Sequence, residues 1–109
     1  MTRNVFITGA SSGIGKAMAY SFAKNGDDLI LCARRKEKLV EVKTDIERRY
    51  GVNVYTHQLD VSKYDDVKKV IQNILKEVKK IDILINNAGL ALGLDKIQDY
   101  SINDIEAML

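Results

Sequence analysis

The sequence predicts an α/β fold, a parallel sheet with helices on both faces. Three observations predict it. Short apolar runs alternate with helical patterns along the chain. The apolar runs lack polar alternation, as strands do when helices cover both faces of their sheet. The first run ends in the segment Thr8-Gly9-Ala10-Ser11-Ser12-Gly13-Ile14-Gly15, which leads directly into a helical pattern.

Taken in order, residues 4–8 read as a buried strand. Gly9, Gly13 and Gly15 then follow the spacing G-x-x-x-G-x-G. Glycine permits a tight turn and a close approach to the main chain. The helix behind it points free N–H groups and a partial positive charge at an anion. The plain alternative is an ordinary turn between strand and helix. In the helix, residues 13–24, Ile14, Ala17, Met18 and Phe22 fall on one stripe, and Gly26 suits its stop. Residues 29–33 form a second strand.

Residues 36–50 read as a helix with Leu39, Val42 and Ile46 inward, ended by Gly51. Residues 52–59 alternate weakly and form a third strand. Ser62 can cap a third helix, whose stripe is Val67, Val70, Ile71, Ile74, Leu75 and Val78. Residues 81–85 make a fourth strand broken only by Asp82, and Asn87, Ala88 and Gly89 end it. Residues 101–109 read as the first turns of a fourth helix, with Ser101 as cap and Ile102, Ile105 and Leu109 inward. Four strands joined by helices need right-handed crossovers, so the sheet is parallel. The expected strand order is 3-2-1-4, the first half of a doubly wound sheet plus one strand, truncated before strand five. The glycine loop and the Asn86 segment then emerge together at the switch point.

The chain has 109 residues, enough for one domain, and 46% of them are apolar, enough for a core. Seventeen basic and 15 acidic residues give a net charge of +2, which argues against nucleic acid as the main partner. A single cysteine, Cys32, permits no internal disulfide and points to a reducing, cytoplasmic compartment. No apolar run reaches membrane-spanning length, no signal-peptide pattern precedes the first strand, and no His, Cys, Asp and Glu cluster has metal-ligand spacing.

Three motifs now stand in order: Thr8-Gly9-x-x-x-Gly13-Ile14-Gly15, Leu59-Asp60-Val61 and Asn86-Asn87-Ala88-Gly89. With them the chain resembles the short-chain dehydrogenase/reductase family over its whole length. The longer string from Ile81 to Gly93 is similar to NADP-dependent 3-hydroxy acid (serine-type) dehydrogenases. The resemblance implies a Rossmann-like fold, with residues 1–109 as the incomplete N-terminal part of a single NAD(P)-binding domain. It implies that Gly9, Ala10, Ser11, Ser12, Gly13, Ile14 and Gly15 hold the pyrophosphate and nearby ribose. It implies that Asp60 accepts from the adenine amino group, that the Val61 main chain touches the same ring, and that Asn86 and Asn87 fasten strand four and line the cleft. Without that family role, Asp60 is a loop residue before a helix, and the two asparagines are strand-end turn residues.

Cofactor choice has its own physical argument. A carboxylate at the end of strand two accepts from a ribose 2′-hydroxyl and favours NAD; here Ala33 is followed by Arg34 and Arg35. A guanidinium binds a 2′-phosphate bidentately, so NADP is expected ahead of NAD. The alternative is that both arginines begin a solvated helix beside Lys36 and Lys38.

By resemblance, catalysis needs a tyrosine, a lysine four residues later, a serine and an asparagine, all downstream of the Asn-Asn-Ala-Gly motif. The chain ends about twenty residues beyond that motif, so no catalytic residue is assigned. Tyr20 with Lys24, and Tyr64 with Lys68, have the right spacing in the wrong helices. His57 and Cys32 read as structural. The expected function is the NADP(H)-binding half of an oxidoreductase acting on an alcohol, hydroxy acid or carbonyl substrate. That substrate binds only with the C-terminal half, and the complete protein is expected to be a homo-oligomer. The other reading is a stand-alone dinucleotide-binding module without catalysis. A P-loop phosphotransferase is excluded, because Lys16 after Gly15 has no hydroxyl residue next to it.

Overall fold

A computed structural model describes residues 2–60, 62–87 and 107–108. Its elements are β1 (Asn4–Thr8), α1 (Gly13–Lys24), β2 (Asp28–Ala33), α2 (Lys36–Tyr50), β3 (Val54–Gln58), α3 (Tyr64–Glu77), β4 (Ile83–Asn86) and β5 (Ala107–Met108). They build one sheet in the order β3-β2-β1-β4-β5. Every pairing is parallel, with Phe6 opposite Ile30 and Leu84, and Ile30 opposite Tyr55.

The unbroken apolar strands divide by parity between two cores, because successive strand side chains point to opposite faces. Val5, Ile7, Leu29, Leu31, Ile83 and Ile85 pack with α1 and α2, through Ala19, Ala23, Leu39, Val42 and Ile46. Phe6, Ile30, Cys32 and Leu84 pack with Val67, Ile71, Ile74 and Val78 around α3. Both faces are thus dry, which is why the strands carry no polar alternation.

The 3-2-1-4 order holds, and β1, α1 and α2 have the expected bounds. β3 and β4 cover Val54–Gln58 and Ile83–Asn86 in place of the expected 52–59 and 81–85, so Asp82 precedes its strand, and three further details differ. The sheet does not stop at strand four: Ala107 and Met108 pair with Leu84 and Ile85 as β5. The helix expected over residues 101–109 therefore fails at those two positions, and its remaining residues lie outside the described ones. A strand of two residues has no periodicity for a sequence reading to find.

The buried face of α1 is Gly15, Ala19 and Ala23, with Met18 and Phe22 only partly buried, while Ile14 and Ala17 are exposed. The helix lies too near the loop and sheet for bulky residues at the seam, so the smallest ones face inward. Ser62 does not cap α3. Lys63 holds that position, and the Ser62 N–H and hydroxyl both donate to Asp60 Oδ1, at 3.0 and 2.6 Å. The Asp60 carboxylate two residues upstream turns the Ser62 hydroxyl toward itself through a charge-assisted bond, away from the start of the helix.

The ends of the strands opposite the glycine loop are fastened by side chains. Arg3 donates twice to Asp27, each bond 3.0 Å. The Asn4 N–H donates to Asp82 Oδ2 at 2.7 Å, and the Asn53 N–H to Asp28 Oδ1 at 2.9 Å.

Candidate functional site

The loop after β1 is shaped by backbone demands. Gly9 and Gly13 sit at φ +64° and +56°, a left-handed conformation that side chains disfavour. Between them Ala10 is fully buried, and its N–H donates to Cys32 O at 3.1 Å, so the loop rests on the end of β2. Gly15 serves another purpose. A Cβ there would lie 2.2 Å from Gly9 O and 2.7 Å from Asn87 Nδ2. Helix α1 and the loop therefore meet closer than any side chain allows.

The start of α1 is open to an anion. Ser12, its N-cap, makes no side-chain capping bond, and the first turn has no acidic residue. The first helical N–H groups have no partner within the helix and carry the positive end of its dipole. Ile14 lies at this end with 71% of its surface exposed.

The two asparagines after β4 close the other side. Thr8 Oγ1 donates toward Ile85 O at 3.5 Å and Asn86 Oδ1 at 3.4 Å, and Asn87 Nδ2 donates to Gly9 O at 3.3 Å. Strand four is thereby tied to the glycine loop across the switch point of the sheet. Ala88, Gly89 and Val61 lie outside the described residues.

A cleft of about 510 Å³ opens between the loop and the end of β2, lined by Thr8, Gly9, Ser11, Ser12, Cys32, Ala33, Arg34, Arg35, Lys38 and Leu59. Three cations stand at one end, and no acidic residue lines it among the described residues. Lys38 is not among the site residues the sequence predicts. Its position three after Arg35, on the first turn of α2, was the available signal, since such residues share a helix face. Arg34 also lines an adjoining cleft of about 480 Å³ with Gln58, Asp60, Lys63, Asp66, Lys69 and Val70. There Asp60 is held below the usual carboxylate range, first by the Ser62 hydroxyl and N–H, then by the charges of Arg34 and Lys63. It is an ionised acceptor at the end of β3.

The remaining titratable groups do other work. The Tyr20 hydroxyl donates to Asp45 Oδ2 at 2.5 Å, joining α1 to α2. Burial and then Asp45 raise its pKa, the opposite of what a proton-transferring tyrosine requires. His57 on β3 pairs with Glu77 at the end of α3. Burial pushes the Cys32 thiol up, out of nucleophilic range. Among the described residues no helix is long and apolar enough to cross a membrane, and no group of three potential ligands is placed to hold a metal.

Comparison with known proteins fits this geometry. The profile of the short chain dehydrogenase family matches residues 3–109. An NADP-dependent 3-hydroxy acid dehydrogenase of Schizosaccharomyces pombe is 46% identical over 108 residues, 98% of this chain and 42% of that protein. The chain thus spans less than half the length of this relative. The L-sorbose reductase of Gluconobacter frateurii, solved with NADPH and L-sorbose, superposes with a TM-score of 0.83 at 28% identity, over 90% of this chain and 45% of that one. A short-chain dehydrogenase of Sphingobium yanoikuyae in complex with NADPH gives 0.72 at 42% identity, over 79% and 33%. By the match across nearly its whole length, the chain belongs to the short-chain dehydrogenase family.

Proposed function

We propose that this chain is the NADP(H)-binding half of a short-chain oxidoreductase acting on an alcohol, hydroxy acid or carbonyl substrate. The observation that carries the reading is the cleft at the end of β2 lined by Arg34, Arg35 and Lys38, with no acidic residue among the described ones. A dinucleotide with a 2′-phosphate fits the donors present. The N–H groups from Gly9 to Gly15 and the start of α1 suit a pyrophosphate, and the two guanidiniums suit a phosphate monoester. Asp60, ionised, suits the exocyclic amine of adenine. Asn87 holds Gly9 in place from β4. The nicotinamide supplies or takes a hydride when bound.

The relatives support this reading by what they bind. The Schizosaccharomyces pombe relative is described as NADP-dependent, and both solved neighbours hold NADPH. By the family resemblance, the catalytic serine, tyrosine and lysine are read as lying downstream of the Asn-Asn-Ala-Gly motif. Tyr20 is assigned no catalytic role, because its hydroxyl is committed to Asp45. A cytoplasmic location accords with the free buried thiol of Cys32. The complete protein is read as a homo-oligomer.

Titration with NADPH and NADH tests the reading. NADPH is expected to bind more tightly, and Arg34→Ala to lower its affinity by about 5- to 150-fold with little effect on NADH. Equal affinity for the two cofactors in the parent chain overturns it.

A further inference from the structure

Two residues, Arg34 and Arg35, join β2 to α2 and carry both guanidiniums of the cleft. Their aim depends on how that short connection is held. The last regular bond of the β2 end runs from the Leu59 N–H to Ala33 O, at 2.9 Å. Beyond it the chain turns toward α2, where the Arg35 carbonyl accepts from the Leu39 N–H at 3.3 Å, which leaves the Arg34 carbonyl between ladder and helix. A side chain takes that place: Gln58 Nε2 donates to Arg34 O at 3.1 Å. Gln58 is the last residue of β3, lies opposite Ala33 in the register, and is exposed. It packs in neither core, so its interaction with the arginine connection is not incidental to core packing.

We propose that Gln58 is a positioning residue for recognition of the 2′-phosphate. It extends the β2–β3 ladder by one side-chain bond, and so fixes the peptide from which Arg34 and Arg35 project. Arg34 lines the cleft of the glycine loop and the cleft of Asp60 alike. Where its peptide sets the guanidinium therefore decides how far it serves the 2′-phosphate and how far Asp60, and the Gln58 amide holds that peptide. This rests on the NADP(H) reading above.

The test compares the parent chain with Gln58→Met and Gln58→Glu. Methionine keeps the length of the side chain and removes the donor. Glutamate keeps its shape, can only accept when ionised, and adds a negative charge beside Arg34. Binding of 2′,5′-ADP and of 5′-AMP isolates the 2′-phosphate, and a thermal melt monitors the fold. Gln58→Met is expected to weaken 2′,5′-ADP about 3- to 10-fold, on the scale of one neutral hydrogen bond, with 5′-AMP binding unchanged and the melt still cooperative. Gln58→Glu is expected to weaken it further. Equal weakening of both ligands, or no change in either, overturns the role of Gln58 and leaves the cofactor reading intact. A parent chain that binds 2′,5′-ADP no more tightly than 5′-AMP overturns the cofactor reading, and this proposal with it.

Discussion

Gly15 is the residue whose replacement the site tolerates least. Its missing Cβ would stand 2.2 Å from a backbone oxygen, and backbone cannot swing aside as a side-chain tip can. Gly15→Ala must push α1 off the loop or distort Gly9. The expected cost is about 1–3 kcal/mol in urea unfolding, the range for overpacking a filled site. NADPH affinity should fall by more than the change in stability accounts for, because the displaced atoms are the phosphate donors themselves. Gly13→Ala is a useful contrast: its Cβ would meet nothing within 4 Å, and its cost comes only from a φ of +56°. The sequence showed that the glycines matter, through their spacing. It did not show that Gly9, Gly13 and Gly15 matter for different reasons, because a positive φ and a close approach both read as glycine.

At the scale of elements, the α1–α2 seam is set by one carboxylate with three partners. Asp45 accepts from Tyr20 across the seam and from Arg48 and Arg49 on its own helix, at 2.7 and 3.1 Å. These bonds, the one from Tyr20 first, lower its pKa to about 2. A folded-state pKa below the unfolded value means that the contribution to stability is complete above pH ~4 and is lost as pH falls toward about 2. Tyr20→Phe is expected to lower the melting midpoint at neutral pH. It should also flatten the fall of that midpoint between pH ~4 and ~2, which melts at a series of pH values will show. Identical acid profiles for parent and variant would count against the seam. The elements themselves were largely legible. Apolar periodicity gave α2 and α3, and glycine punctuation gave β1 and the start of α1. The inward face of α1 is not legible from apolar bulk, because this helix buries its small residues, Gly15, Ala19 and Ala23.

Across the whole molecule, the sheet has two unlike edges. At β3 the side chains of Tyr55, Thr56 and His57 are half-buried and Gln58 is exposed. At the other side β5 pairs with Leu84 and Ile85, two of the four residues of β4, which is otherwise an apolar strand of the buried type. Among the described residues this cover is short and partial, and such a cover blunts an edge without removing its appetite for another strand. Sedimentation over a concentration series is expected to show the 109-residue chain self-associating. A monomer at every concentration would mean that the edge is closed. Strand order was readable because crossover handedness leaves few alternatives. Lys38 was readable only through its spacing from Arg35, and Gln58 was not, because its bond to the Arg34 carbonyl depends on the turn that β2 makes into α2, which no pattern along the chain encodes.

The Gly9 carbonyl is held from two sides, by the close approach of Gly15 and by the Asn87 amide. The conformational entropy of the glycine loop is therefore surrendered when the chain folds, not when a ligand arrives. Affinity at this loop and stability of the sheet become one linked quantity. A substitution far from the cleft that loosens β4 reduces the fraction of molecules with a formed loop, and so weakens binding. A dinucleotide that binds the formed loop raises the melting temperature in proportion to the logarithm of its concentration.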